Sequence, residues 1–349
     1  MSFEIHPEWS LKKSKGATVS LPLLLSLLTS IRDSGSISRA AASEKLSYRH
    51  AWGMLRDFEQ EFSAPLLLKS RGKGTSLTPL AEKLIWADKR ITARITPILE
   101  SFASELEAIL TRASTALRIT ASHGFAVEAL IQRLGSDNVP VEINYRSSLE
   151  AVAALSHDEC DLAGFHVPVG EFKHAAQPYL KWLDPRQHAL IHLAYRSQGL
   201  FIAKGNPKKI RGLIDLQRKD LRFVNRQTGS GTKILLELLL AKENIDSKDI
   251  ADYDIAEFTH SAVAAYVASD MADVGFGVET AARRFDLDFI PVARENYFFA
   301  CKASALSQSQ LKSTRAIMLS ASFRDSVNVL AGYDGKQSGS MVTFEDAFS

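Results

Sequence analysis

Cysteine is scarce: the chain has two in 349 residues, Cys160 and Cys301, far apart. That count excludes a disulfide framework or a cysteine-built zinc site, and it reads as two buried thiols in a reducing compartment. Long apolar runs are missing as well. Residues 21–28 are short, interrupted by Pro22 and Ser26, and followed by charge, whereas a bilayer span needs about 20 apolar residues. Residues 1–15 lack the form of a signal peptide. The expectation is a soluble, cytoplasmic chain with no membrane partner. A strong charge of either sign is absent too, the formal net charge being +2. No fixed-period repeat stands out.

The motifs of catalysis are also lacking. There is no His-Glu-x-x-His metal spacing and no Gly-x-Ser-x-Gly nucleophile elbow; Thr228-Gly229-Ser230-Gly231 falls short of it. His123, His260 and Ser230 can be drawn together as an acid–base set, but nothing in their spacing requires it. The expectation is therefore no enzyme, no catalytic residue, no metal and no cofactor.

What is present is an ordinary globular composition, 46% hydrophobic and 23% charged, in a chain long enough for two domains. Residues 1–112 carry 16 Lys and Arg against 12 Asp and Glu; the remainder carries 26 against 28. The first part is modestly basic, and the second cannot hold a polyanion by charge alone. Residues 1–18 are polar and read as an arm. A helix capped by Ser20, with Pro22 in its first turn, runs to about Asp33 and ends at Ser34-Gly35-Ser36. A short helix follows over 38–44, a turn at Lys45-Leu46, and a longer helix over 47–62 with Ala51, Trp52, Leu55 and Phe58 at helical spacing. Two short strands around the basic turn Ser70-Arg71-Gly72-Lys73-Gly74 make a wing. Thr78 and Pro79 start a linker helix that Pro97 is expected to kink or break before it resumes to about Leu110.

Helix, tight turn, helix and basic wing form an ordered set that suits double-stranded DNA. The second helix enters the major groove and its first residues reach base edges. Ser47, Tyr48, Arg49 and His50 hold those positions, with Ser38 and Arg56 nearby; Arg49 can offer two donors to a guanine. Lys69, Arg71 and Lys73 suit phosphate contact. Gly35-Ser36-Ile37-Ser38-Arg39-Ala40-Ala41, Leu46 to Trp52, and Leu77-Thr78-Pro79-Leu80-Ala81 resemble the N-terminal domain of molybdate-responsive and, more broadly, LysR-type regulators. Ala81 replaces the usual glycine of the wing exit. The resemblance covers about residues 20–95 and implies a homodimer reading a near-palindromic site; the LysR likeness also allows a tetramer.

From Ala116 the pattern becomes short apolar strands alternating with helices, at 117–121, 141–145, 161–167, 190–194, 221–225, 254–258, 273–278 and 289–292. This predicts an α/β fold with largely parallel sheets. Asn225 to Thr232 opens a helix, where unpaired N–H groups and the helix dipole favour an anion. Arg226, Thr228, Gly229, Ser230, Gly231 and Thr232 are its candidate residues. Strand ends add Ser122, His123, Ser147, Ser148, Thr259 and His260; Arg196 joins Arg146 and Arg226 as a possible clamp for a carboxylate. These segments resemble the type 2 periplasmic-binding-protein fold in its version fused to helix-turn-helix domains. That likeness implies two lobes, 117–195 with 290–302 and 200–280, with a ligand between them.

The expected architecture is thus α/β: a winged helix-turn-helix over 1–78, a linker and dimerisation helix over 79–112, a two-lobed type 2 periplasmic-binding-protein-like domain over 113–335, and a partly disordered tail over 336–349. The expected function is transcription regulation through a small anionic effector. The molybdate-regulator likeness points to molybdate or tungstate, the arginines to a small organic acid, and a solute-binding protein without regulatory role is the alternative class.

Overall fold

The computed structural model describes residues 4–12, 18–69, 74–111 and 116–349. They divide into two compact units, His6–Ala93 and a larger one built on Arg94–Ser349. Arg71, Gly72 and Lys73, and the side chain of Lys69, lie outside the described residues.

In the small unit the first segment is not a bare arm. Strands β1 (Ser10–Lys12) and β2 (Thr18–Ser20) pair antiparallel, and Trp9 donates from Nε1 to Asp88 at 2.7 Å. Helices α1 (Pro22–Ser34), α2 (Ile37–Ser43) and α3 (Tyr48–Phe62) follow. Gly35 closes α1 at φ 65°, and the Ser36 hydroxyl accepts from Arg39 N–H to start α2. Ser47 caps α3 in the same way through His50 N–H at 3.1 Å. Ala40, Ala41 and Ala51 let these helices meet closely over Leu24, Leu27, Leu28, Ile31 and Leu55, all fully buried. Strands β3 (Leu67–Lys69) and β4 (Thr75–Leu77) form the wing pair. Helix α4 (Pro79–Thr111) runs through Pro97 without the break that is one of the two outcomes expected there. Pro97 is buried there, and packing offsets the missing N–H, a defect worth about 3 kcal/mol in a helix interior. Its i−4 position is Ala93, where the boundary between the two units falls.

The larger unit contains β5 (Leu117–Ala121), α5 (Phe125–Ser136), β6 (Val141–Tyr145), α6 (Ser148–Ser156), β7 (Leu162–Pro168), β8 (His188–Ile202), β9 (Phe223–Arg226), α7 (Gly231–Lys242), β10 (Ala256–Glu257), α8 (His260–Ala268), β11 (Val274–Val278), α9 (Glu279–Arg284) and β12 (Asp288–Lys302). The strand order is β10-β9-β11-β8-β12-β7-β5-β6. The βα alternation gives parallel pairs β5–β6, β5–β7, β9–β10 and β9–β11. The centre differs from expectation. Strands β8 and β12 are each 15 residues long and antiparallel to one another. They cross from one lobe to the other, so the short strands expected at 190–194 and 289–292 are halves of longer ones. Gly199 permits this, because a Cβ there would lie 2.1 Å from the Ile290 carbonyl oxygen.

The tail is ordered, against expectation. After α10 (Ser309–Leu319) and α11 (Ala321–Asn328), strands β13 (Tyr333–Asp334) and β14 (Met341–Val342) both pair with β8. Helix α12 (Phe344–Phe348) then buries Phe348 in parallel stacking on Phe165. Two aromatic rings in six residues supply the apolar area that holds it.

The C-terminal half of α4 covers the open edge of β6. Ile143 N–H donates to the Ser104 hydroxyl at 2.9 Å, that hydroxyl donates to the Val141 carbonyl at 3.2 Å, and Tyr145 N–H donates to Ser101. At the other end of the strand order, Arg94 pairs with Glu257 at 3.1 Å and lies over the Phe258 ring. Ser104→Ala leaves a buried N–H and carbonyl without their partner. It should lower the unfolding free energy by about 1–3 kcal/mol in a denaturant titration, with no loss of helix content.

Candidate functional site

Arg196 and Glu295 face each other directly in the β8–β12 register. Alternation puts Gln198 on the same face as Arg196, and Tyr297 on the same face as Glu295. His166 of β7 is the register partner of Tyr297. The sheet therefore gathers five polar side chains where the lobes meet. Arg196 is 1% exposed, and Gln198 and Glu295 are 0% exposed.

Glu295 Oε2 accepts from Arg196 Nε at 2.9 Å and from Gln198 Nε2 at 2.7 Å. Arg196 Nη2 lies 2.8 Å from the same oxygen but is not aligned to hydrogen-bond it. Gln198 Nε2 also reaches the Thr232 hydroxyl of α7 at 3.2 Å, tying the second lobe to the pair. Burial works against the Glu295 carboxylate, yet Arg196 and then His166 hold its pKa below the usual range. Burial likewise opposes the Arg196 charge, and Glu295 more than restores it.

Tyr297 donates to the Ser122 carbonyl at 2.8 Å, so its oxygen accepts from the Ser122 hydroxyl at 3.1 Å. Two hydroxyls flank His166 Nδ1, Ser122 at 3.3 Å and Ser148 at 3.0 Å. Ser122, its proton committed to Tyr297, meets that nitrogen as an acceptor, and Ser148 has a proton to give or a lone pair to offer. His166 Nε2 is buried without a partner, and a Cβ on Gly231 at the start of α7 would lie 2.0 Å from it. Burial, with Arg196 and Arg226 adding to it, pushes the His166 pKa down to about 4. Burial followed by Arg226, Arg196 and His166 drives His260 well below the ordinary range. Both rings are neutral near pH 7. Arg226 donates from Nη2 to the Phe258 carbonyl at 2.7 Å, while its Nε is buried and unpartnered. Two guanidinium charges, the buried Arg196 and the half-buried Arg226, stand against the buried Glu295 carboxylate.

Of the sequence candidates, Ser122, Ser148, Arg196, Arg226, Gly231, Thr232 and His260 converge here. Others are placed apart or occupied. Ser147 is half-buried and engaged in a capping box with Glu150. Thr228 and Gly229 are exposed in the turn before α7. Ser230 caps α7 through Lys233 N–H, and Thr259 caps α8 through Ala262 N–H. His123 pairs with Glu128 at 3.0 Å and packs edge-on against Tyr145. Arg146 pairs with Glu159 at the surface. His166, Gln198, Glu295 and Tyr297 were not among the candidates. A polar residue inside an apolar strand run was the signal available for them. Among the described residues no group of three His, Cys, Asp or Glu side chains is placed to hold a metal ion. No helix among them is long and apolar enough to cross a membrane.

The PBP superfamily domain profile matches residues 129–318. The chain belongs to the PBP superfamily. Residues 23–82 of the small unit match a second family, described as bacterial regulatory helix-turn-helix protein, lysR family. The chain thus joins a LysR-type helix-turn-helix to a PBP domain. An uncharacterized protein of Bacillus subtilis, YvgK, is 32% identical over 199 residues, 57% of this chain and 64% of that protein. The molybdenum-pterin-binding protein MopB of Rhodobacter capsulatus is 30% identical over 126 residues, covering 35% of this chain and 47% of MopB. The transcriptional regulator ModE of Haemophilus influenzae is 30% identical over 131 residues, 35% of this chain and 51% of ModE. The chain spans about half to two thirds of these relatives.

On the LysR-type unit, Ser47, Tyr48, Arg49, His50 and Arg56 are exposed on α3, and Ser38 is exposed on α2. Arg49, Gly53 and Arg56 share one face at helical spacing, and nothing lies within 4 Å of a Cβ built on Gly53. Arg49 and Arg56 form no ion pair among the described residues. Tyr48 accepts a hydrogen bond from Trp52 Nε1, which steadies its ring at the start of the helix.

The PBP domain should be acid-sensitive. His166 has a folded pKa of about 4 against the ordinary 6.5, so between those values the unfolded state binds more protons. His192, buried in β8 and also lowered to about 4, acts in the same direction. Stability is full above pH 6.5 and falls as pH drops toward 4, by up to about 3 kcal/mol per ring. Denaturant titrations across that window should show the fall, and His166→Gln should make it shallower.

Proposed function

We propose that the chain is a DNA-binding transcription regulator whose PBP domain holds a small anionic effector between its lobes. The observation that carries the reading is the charge at the lobe junction: buried Arg196 and half-buried Arg226 against buried Glu295, with His166 and His260 neutral. Arg226 Nε is shielded from solvent and unpartnered, and an anion there supplies charge-assisted hydrogen bonds that offset its desolvation. Ser122, Ser148 and Thr232 add hydroxyls. Molybdate or tungstate is the first candidate, supported by the name of the relative MopB. A small carboxylate is the second, favoured by the two guanidinium groups.

Helix α3 is the proposed reading helix. Arg49 is placed for base contact, and Ser38, Ser47, Tyr48, His50 and Arg56 for bases or phosphates; Lys69, Arg71 and Lys73 of the wing are assigned to phosphate on the sequence alone. The protein works as a cytoplasmic homodimer on a two-fold site, and assembly to a tetramer is compatible with the LysR likeness. It is not an enzyme. Effector binding closes the lobes, and α4, bonded to β6 and to Glu257, carries the change toward the DNA-binding unit. Such coupling is reciprocal: operator DNA should change effector affinity by the factor the effector changes DNA affinity.

Thermal-shift assays against molybdate, tungstate, sulfate, phosphate and small carboxylates test the sensing half. At least one anion should raise the melting temperature, and Arg226→Ala should abolish the shift. Failure of every anion would remove the reading. For the DNA half, Arg49→Ala should cost about 1–3 kcal/mol of operator affinity and relax sequence preference at one position, measured by anisotropy at fixed salt. Equal loss on all sequences would reassign Arg49 to phosphate.

A further inference from the structure

The lobe junction holds hydrogen-bond acceptors as well as donors, and the acceptors discriminate among anions. Its unpartnered donors are Arg226 Nε and the unaligned Arg196 Nη2; the ring nitrogens His166 Nε2 and His260 Nδ1 and the Tyr333 hydroxyl are unpartnered as well. Its unpartnered acceptors are Glu295 Oε1 and Gln198 Oε1, both on side chains fully buried from solvent. The orientation of the Gln198 amide is not arbitrary. Its Nε2 sits 2.7 Å from the Glu295 carboxylate, and turning the amide over would set two oxygens against each other. Oxygen Oε1 must therefore point away from Glu295. Glu295 Oε2 is already saturated by Arg196 and Gln198, which leaves Oε1 as the carboxylate's open position.

A fully deprotonated tetrahedral oxyanion such as molybdate or sulfate brings acceptors alone. It would satisfy Arg196 and Arg226. It would also set its own oxygens against Glu295 Oε1 and Gln198 Oε1, a repulsion worth a large factor in a site of low dielectric. A ligand carrying an O–H or N–H beside its anionic oxygens meets both sets. We infer that the effector is an anion that also donates a hydrogen bond, either a protonated oxyanion or a small hydroxy or amino acid. The ligand's anionic oxygens face Arg226 and Arg196, and its donor faces Glu295 and Gln198. This inference rests on the anion reading above and narrows it against the donor-free oxyanions.

Matched anions separate the possibilities by calorimetric titration of the full chain at pH 7. Inorganic phosphate carries an O–H that sulfate and molybdate lack. Lactate carries a donor that propanoate lacks at the same charge. In at least one set the donor-bearing anion should bind at least tenfold more tightly than its donor-free counterpart; the phosphate set identifies a protonated oxyanion, the carboxylate set an organic acid. Glu295→Gln should shrink that preference at least tenfold, because Arg196 and Gln198 hold the amide oxygen and leave its N–H₂ in the open position. Gln198→Met removes the second acceptor without touching the charge and should act in the same direction; circular dichroism confirms folding of each variant. Tightest binding by molybdate, sulfate or propanoate, or a preference unmoved in both variants, overturns the donor requirement and leaves the anion reading standing. If no anion binds, and wild type and Arg226→Ala behave alike, the anion reading falls and this inference falls with it.

Discussion

The ion pair between Arg196 and Glu295 joins the two strands that pass from one lobe to the other. It lies in a sheet interior where either charge alone would be costly, since desolvation of an unpaired buried ion amounts to several kcal/mol. Direct cross-strand pairing, with Gln198 two residues along β8, gives the carboxylate three neighbouring donors on one side. The carboxylate consequently stays ionised, and its second oxygen is left buried without a partner. The polarity of the site follows from this pair: Glu295 contributes an open acceptor, and Arg226 Nε an open donor.

The surrounding sequence makes room for the arrangement by omission. Gly199 lets the backbones of β8 and β12 stay in contact at the crossover. Gly164 leaves space for Tyr297, whose hydroxyl would lie 2.6 Å from a Cβ at that position. Gly231 admits the His166 ring to the first turn of α7, so a first-lobe histidine meets a second-lobe helix start. Each glycine stands where two elements approach more closely than a side chain allows. Helix α4 is bonded to the same unit near both ends of the strand order, through Ser101 and Ser104 at β6 and through Arg94 at Glu257. It leads on into the LysR-type segment, so a change in lobe spacing has a covalent route toward the recognition helix.

Much of the fold was legible because its signals are local. The cap at Ser47, the turn at Gly35 and the βα alternation after Ala116 each follow from a few neighbouring residues; the cap expected at Ser20 is absent, because Ser20 ends β2 and Leu21 precedes α1 with no side-chain cap bond. What was not legible depends on partners distant in sequence. β8 and β12 are long because they pair with each other, and no local pattern marks residues 195–202 as strand. Pro97 reads as a breaker, yet it is buried within a continuous helix. The tail reads as loose, yet Phe348 finds Phe165, 183 residues away in sequence. For the site, strand-end reasoning reached Ser122, Ser148, Arg196, Arg226 and His260. It could not reach Glu295, Gln198 or His166, which lie inside strands and acquire meaning through cross-strand register. It also collected Ser147, Ser230 and Thr259, whose hydroxyls cap helices.

A crystal structure of the full chain grown with the tightest-binding anion of the panel tests the lobe-junction site most directly. The expected result is ligand density within hydrogen-bond distance of His166 Nε2, Arg226 Nε and Glu295 Oε1, between the lobes. An anion bound elsewhere, with these three atoms turned onto other protein groups, would contradict it.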